Sequence, residues 1–343
     1  MYVINKALII PYPTGPIREI IQETLRDYQA GKDLTDSSIM RWGREAVRRG
    51  AYFYGAEGLT GAEAEEKIQE RQRDVIALYE DIRVHGYNGS PISIFFNSAG
   101  EAVLYDGYHR LSILDLLGQS PDLNCRVSTW DPNPEKRGDF PLREAIAAIN
   151  GGPYTYNPVQ DERVADYLCW RPDSPARLQA IIPHLIGETV LDVGCSEGYF
   201  SRELARMGYR ITANDLDPRR LAVTRYLATI ANLRLEYAPG DWAEHLRTMG
   251  KGYDNVLLLS VVHHKMLSTG PEALNELEVL RGRTKRLFIE IPPKAKDISW
   301  TDHKDAYSFE EPELIQRLEE LTGLKTRDVW RGIRPLIILE APE

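Results

Sequence analysis

Cysteine is scarce: the chain of 343 residues holds three, Cys125, Cys169 and Cys195. Their odd number and wide spacing fit neither a disulfide framework nor a zinc site, so no metal is expected. A reducing cytoplasm is the simplest setting for such thiols. Long apolar runs are missing too, since none approaches the ~20 residues of a membrane helix. The apolar stretch Ala7 to Ile10 is cut short by Pro11 and Pro13 before it reaches the length of a signal-peptide core. Membrane insertion is therefore not expected. A basic excess is absent as well: 42 Lys and Arg stand against 51 Asp and Glu, a net charge of −9. That balance speaks against broad nucleic-acid binding, which needs a basic footprint. Oligomeric state leaves no mark in the sequence. What is present is ordinary for a globular chain, 43% hydrophobic and 27% charged. The length suits two domains.

Texture divides the chain. From about Thr14 to Glu80, Ile17, Ile20, Ile21 and Leu25, then Ile68, Val75, Ile76 and Leu78, recur at helical spacing. Residues 91–96 and 102–105 read as strands joined by the turn Ser98 to Gly100, followed by a helix that Gly118 stops and a further strand from Asn124 to Ser128. A proline- and glycine-rich stretch between Asp131 and Pro158, with Pro132, Pro134 and Pro141, marks the domain boundary, and a helix from Leu142 to Ile149 interrupts it. The expected division is 1–150 for a smaller α+β domain, 151–185 for a linker with one or two lid helices, and 186–343 for an α/β domain. In that last domain strands at 190–193, 210–213, 233–237, 255–259 and 286–291 alternate with helices, among them 200–207, 218–230, 272–280 and 312–321. An antiparallel pair, 326–330 and 336–339, closes it. This alternation predicts a mostly parallel sheet of seven strands, covered on both faces.

The most informative segment is VLDVGCSEGYF, residues 190–200. It reads as a buried strand, a glycine turn and a helix start, and glycines there let a ligand approach the backbone. Asp192 precedes the first glycine, so a pyrophosphate would meet a like charge. A nicotinamide fingerprint needs G-x-G-x-x-G, whereas this turn offers only Gly194 and Gly198. A cationic ligand suits it better. Gly194 to Gly198 also matches G-x-S-x-G, the nucleophile elbow of hydrolases, with Ser196 as nucleophile. That alternative explains none of the later acids. Asp215 ends the second strand a little over twenty positions on, where an acid can accept two ribose hydroxyls. Asp217 is a helix cap. Asp241 and Trp242 follow the third strand, and the fourth ends in Ser260, Val261, Val262, His263 and His264.

Together these residues resemble the class I S-adenosylmethionine (SAM)-dependent methyltransferases, whose first motif is D-x-G-x-G-x-G, with Ser196 standing where the middle glycine usually lies. The resemblance implies a Rossmann-like fold and SAM as cofactor. It places Asp192, Gly194, Ser196, Gly198, Tyr199, Asp215, Leu216, Asp241, Trp242 and Ser260 around SAM, with Asp241 taking the adenine amino group and Trp242 stacking on the ring. His263 and His264 become candidate general bases for an oxygen acceptor. The GCSEGYFS turn and LSVVHH strand end are similar to the domain that methylates the end of O-antigen chains and to O-methyltransferases of polysaccharide and natural-product clusters. They imply a small-molecule or glycan acceptor, with a phosphate among the candidates. A more distant similarity is to enzymes of transfer RNA. Tyr154, Tyr156, Trp170 and Arg171 precede the core where such enzymes carry a lid, and they serve equally as core residues.

In the first domain, Tyr105 to Leu111 (YDGYHRL) resembles the D-G-x-H-R turn of ParB- and sulfiredoxin-like domains. The resemblance implies a nucleotide or phosphate site at Asp106, His109 and Arg110. The alternative is a retained fold element, with Asp106 capping the helix and His109 packed inside. Tyr108 stands where sulfiredoxin has its cysteine, which excludes that chemistry. Arg41, Arg44 and Arg48 share a helical face, with Arg49 beside it, and a solvated face is the usual reading. A SAM-binding module without catalysis and a bifunctional enzyme with an N-terminal phosphotransferase complete the alternatives.

Overall fold

The computed structural model describes residues 1–11, 16–129, 133, 138–250 and 252–342. Thr14, Pro13, Asp131, Pro132 and Pro134 of the sequence reading lie outside them. The chain divides into two units, one of residues 1–97 and 101–139, the other of 98–100 and 140–343.

The first unit contains β1 (Tyr2–Asn5), β2 (Ile9–Pro11), α1 (Ile17–Gln29), α2 (Ser38–Arg48), α3 (Gly61–His85), β3 (Ile92–Phe96), β4 (Ala102–Asp106), α4 (Tyr108–Leu116) and β5 (Asp122–Val127). Its strands form one mixed sheet in the order β1-β5-β3-β4-β2. Two were not expected. β1 pairs antiparallel with β5, and β2 lies parallel beside β4. Pro11 belongs to β2, an edge strand, where a missing N–H costs no ladder bond.

The second unit opens with α5 (Leu142–Asn150), β6 (Tyr154–Thr155), β7 (Leu168–Cys169) and α6 (Ser174–Ile181). Then follow β8 (Thr189–Val193), α7 (Tyr199–Arg206), β9 (Arg210–Asp215), α8 (Pro218–Ile230), β10 (Glu236–Pro239), α9 (Trp242–Thr248), β11 (Tyr253–Leu259), α10 (Val262–Thr269), β12 (Thr284–Glu290), α11 (Glu311–Thr322), β13 (Lys325–Arg331) and β14 (Pro335–Glu340). The sheet has seven strands in the order β10-β9-β8-β11-β12-β14-β13, and β14 alone runs against the rest. Two apolar layers cover it, and strand residues alternate between them as period two demands. Leu191, Val193, Val256 and Leu258 join residues of α9, α10 and α11, while Val190, Leu257 and Leu259 join α6, α7 and α8.

Three expectations change here. The segment 140–185, read as the end of the first domain and a linker, is counted with the second unit. Phe140, just before α5, stacks on Tyr226 of α8 with centroids 5.0 Å apart, which ties it there. The strand expected at 233–237 begins at Glu236, after a left-handed turn at Asn232 (φ 55°) that follows α8. Pro239 closes this strand, β10, which is again an edge. Residues 271–280 form a 3₁₀ helix rather than an α-helix.

Candidate functional site

Strand order reverses direction between β8 and β11, and crevices outside the carboxyl ends of such strands are where open α/β sheets bind ligands. β8 delivers Asp192 to this edge. Its carboxylate is 3% exposed and accepts the Ser201 hydroxyl at 2.6 Å from the first turn of α7. Burial pushes its pKa up to about 6, and the nearby Asp215 adds to the shift. β9 delivers Asp215, whose two oxygens accept the Ser196 and Asp217 N–H groups at 3.1 and 3.0 Å. Burial raises its pKa as well. Two carboxylates thus meet at one turn, with the Arg177 charge bearing on Asp192 and that of Arg220 on Asp215. Among the described residues no group of acids, histidines or cysteines forms a metal cluster.

The turn itself is held by internal bonds. Ser196 stands in the left-handed region (φ 55°), a conformation that costs a non-glycine residue ~1–2 kcal/mol. Its N–H donates to Asp215, its carbonyl accepts Thr224 Oγ1 at 2.8 Å, and its hydroxyl donates to Glu197 at 2.8 Å and accepts Arg220 at 2.7 Å. No histidine takes part, so these contacts give Ser196 no base of the kind a hydrolase nucleophile requires. The glycines also answer to packing. A Cβ at Gly194 (φ 65°) would stand 2.7 Å from Val261, and one at Gly198 (φ 71°) would overlap Thr224.

The remaining cofactor candidates differ in placement. Asp217 caps α8 through the Arg219 N–H, as its position suggested. Asp241 lies exposed at the N-cap of α9, with one oxygen on the Glu244 N–H. Leu216 is 72% exposed beside Asp215. Trp242 offers no open face: it is 6% exposed and belongs to the apolar layer with Leu191, Val193 and Leu246. As the first residue of α9 it points into the core, which corrects the stacking role expected of a free indole. Tyr199 is likewise drawn away, to a cavity of about 170 Å³ lined with Arg202, Arg206 and Leu227.

On the other side of the crevice, Ser260 follows β11 in a left-handed conformation (φ 63°). Its hydroxyl donates to Glu290 Oε1 at 2.6 Å and accepts Arg171 at 2.9 Å and Arg334 at 3.0 Å. Glu290, at the end of β12, is fully buried between Arg171 (2.8 Å) and Arg177 (3.2 Å), and Arg171 also forks Asp173. Arg171 is therefore a core cation. Arg171 was named from sequence, whereas Glu290, Arg177 and Arg334 were not. The available signal was an acid closing an otherwise apolar strand, LFIE. Glu197 was missed too. It is buried in the glycine turn and accepts the backbone N–H groups of Tyr156 (2.9 Å) and Asn157 (3.3 Å), which fastens residues 150–157 over that turn.

His263 and His264 open α10. His263 is 1% exposed, and its Nδ1 has no hydrogen-bond partner. Burial lowers its pKa to about 2, helped by His264, Arg334 and Arg171. His264 lies at the surface, stacked on Trp300 with centroids 5.1 Å apart. Packing of its ring, then Arg334 and Arg220, hold its pKa below the ordinary value. Both imidazoles are neutral at neutral pH, and His264 is the more accessible.

The first unit has its own cavity of about 210 Å³, lined by Arg71, Asp74, Asp106, Gly107, His109 and Arg110. Gly107 (φ 113°) precedes α4 as its N-cap, so Asp106 does not cap the helix. Arg71 Nη2 stands 3.0 Å from the His109 ring, and Arg110 donates to the Ser90 and Pro91 carbonyls. Burial, then Arg71 and Arg110, lower the His109 pKa to about 3. The arginine face of α2 is neutralised: Arg44 pairs with Asp36 and Glu65, and Arg48 and Arg49 pair with Glu45. It is a solvated ion-paired surface.

Comparison with known proteins agrees with the crevice of the second unit. Residues 190–280 match the family model described as a methyltransferase domain. The chain is 37% identical over 111 residues to the ubiquinone biosynthesis O-methyltransferase of Azorhizobium caulinodans, covering 32% of this chain and 42% of that protein. It is 33% identical over 94 residues to the enzyme of the same name from Erwinia tasmaniensis, covering 26% and 39%. The matched region thus spans less than half of these relatives. Among solved structures, monomeric WbdD is 23% identical with a TM-score of 0.48, covering 56% of this chain and 47% of that one. Magnesium protoporphyrin IX methyltransferase (ChlM) of Synechocystis PCC 6803 with bound SAM is 19% identical with a TM-score of 0.41, covering 58% and 93%. The second unit carries a class I SAM-dependent methyltransferase domain, an enzyme domain whose cofactor is SAM.

Proposed function

We propose that the chain transfers a methyl group from SAM to an oxygen, hydroxyl or phosphate, of a small molecule or glycan. The observation that carries this reading is the pair of carboxylates, Asp192 and Asp215, at one left-handed glycine turn. They suit a ligand with a positive charge and a ribose, and they repel a diphosphate. Asp215 would hold the ribose hydroxyls, its orientation fixed by two backbone N–H groups. Asp192 would face the cationic end. Asp241 has one oxygen engaged in capping and a second for the adenine amino group. SAM supplies a methyl on a sulfonium already activated for in-line displacement, so the protein's share is placement and proton removal. His264, neutral and accessible, would accept the hydroxyl proton. His263, with a pKa of about 2, is too weak a base. The relatives named for O-methylation support an oxygen acceptor.

The first unit is read as an accessory domain of ParB/sulfiredoxin type. Its cavity, where Arg71, His109 and Arg110 meet at a helix N-terminus, favours a nucleotide or phosphate ligand. A cytoplasmic setting fits the free thiols, and no helix among the described residues is long and apolar enough to cross a membrane. An RNA acceptor gains nothing from the ion-paired face of α2.

Methyl transfer from isotope-labelled SAM into a panel of catechols, sugars and phosphorylated sugars tests the reading. Product methylated on oxygen, reduced ~10²–10⁴-fold by His264→Ala with SAM affinity unchanged, is the expected result. Methylation confined to nitrogen or carbon would overturn it.

A further inference from the structure

The acceptor side of the crevice holds a cation without an anion. Arg334 sits in the hairpin between β13 and β14 and donates to Ser260 Oγ at 3.0 Å. Among the described residues no carboxylate lies within ion-pair distance of it. The neighbouring cations are different: Arg171 and Arg177 are matched by Glu290 and Asp173. Two buried groups on which the Arg334 charge bears have unused hydrogen-bonding capacity. The Nδ1 of His263 and the hydroxyl of Tyr307 are both buried and have no partner, and the side chains that carry them are 1% and 4% exposed. The Arg334 charge bears on both, and on His264 as well. Asp297 is the one acid that bears on Tyr307.

Orphaned buried polar atoms cost ~1–3 kcal/mol each, so a pair of them beside an unmatched guanidinium marks a place built for something polar. The groups on offer are a guanidinium fork, a phenolic O–H and an imidazole nitrogen. That set is rich in donors and suits oxygen acceptors bearing negative charge. An anion there also offsets repulsion between Arg334 and a positively charged cofactor in the same crevice. A neutral acceptor would leave both the charge and the two orphans unanswered.

We propose that the methyl acceptor is an anion, and that Arg334, with Tyr307 and His263, binds its charged oxygens beside the oxygen that receives the methyl group. This rests on the reading of the second unit as an O-methyltransferase and names its substrate class. Carboxylate and phosphate share the required chemistry.

The test uses the full chain saturated with S-adenosylhomocysteine (SAH) and two probes, inorganic phosphate and acetate, at constant ionic strength. Binding is read from saturable NMR line broadening of each probe. The wild type should broaden one or both, and Arg334→Gln should weaken that binding about tenfold or more, since a charge-assisted fork is lost. SAH affinity should stay within about twofold, because uniform cofactor contacts are untouched. Broadening by phosphate alone identifies a phosphorylated acceptor, and by acetate a carboxylated one. Three results overturn the proposal: no saturable binding of either probe, binding that Arg334→Gln leaves intact and that therefore belongs elsewhere in the chain, or an equal loss of SAH affinity, which would assign Arg334 to the cofactor. If the wild type fails to bind SAH, the cofactor reading fails instead, and the same titrations without SAH still measure the anion site.

Discussion

Two turns in this molecule share a local design and differ in charge. In each, a strand ends in a left-handed glycine and a helix begins: β8 to Gly198 and α7 in the second unit, and β4 to Gly107 and α4 in the first. The first-unit turn has Arg71, His109 and Arg110 beside it, with Asp74 and Asp106 in the same cavity wall. The second-unit turn has Asp192 and Asp215 beside it, Arg220 bound to the Ser196 hydroxyl, and Glu197 turned inward to bind backbone. Helix N-termini attract anions by their dipole. On the proposed reading, the arginines of the first-unit turn add to that field, while the carboxylates of the second oppose it and suit a cation. Backbone geometry makes room at a strand end, and flanking charge decides what enters.

The largest effect should come from the support behind the acidic turn. Glu290→Ala leaves Arg171 and Arg177 buried without their shared anion, and stability should fall by about 3–5 kcal/mol in urea unfolding. The half-buried cations of the basic turn share no buried carboxylate of this kind among the described residues. A smaller loss is expected at the turn itself. Gly198→Ala places a side chain at φ 71° against Thr224, and should cost about 1–3 kcal/mol by the same measurement. Gly107→Ala meets Ile92 at 2.7 Å with φ 113° and should behave alike, because both glycines answer to packing.

Titration separates the two turns further. Asp192 is raised to about 6 from an ordinary value near 3.8, so its ionisation opposes folding. The stability this gives is full below the unfolded pKa and is lost as pH rises through about 6. Cation binding runs the other way, because it requires the carboxylate. SAM affinity should therefore fall by up to about tenfold per unit as pH drops below 6, by proton linkage. Asp192→Asn should flatten that slope. Anion binding at the first-unit turn should show no such rise with pH.

How much of this was readable follows range along the chain. Asp192, Gly194, Gly198 and Asp215 lie within one strand–helix–strand stretch, and local pattern revealed both their elements and their grouping. The parallel sheet was legible for the same reason. The Glu290 cluster joins residues 113 and 119 positions apart and left only one acid in an apolar strand as a trace. β1 and β2 were missed because four- and three-residue strands carry too little alternation to register. α9 and α10 were missed since each is short and begins in residues read as site, Trp242 and His263. That same habit assigned Trp242 a ligand-facing role when its helix turns it into the core. The reason for the glycines was also hidden: Val261 and Thr224 arrive from distant segments, and only the fold brings them there.

One measurement bears on the acidic turn most directly: calorimetric titration of the full chain with SAM and with SAH, repeated on Asp215→Ala. Saturable binding of both, weakened by roughly 10–100-fold in the variant as charged hydrogen bonds to the ribose disappear, is the predicted result. An absence of heat with the wild type, or equal affinity in the variant, would contradict the assignment of this crevice to SAM.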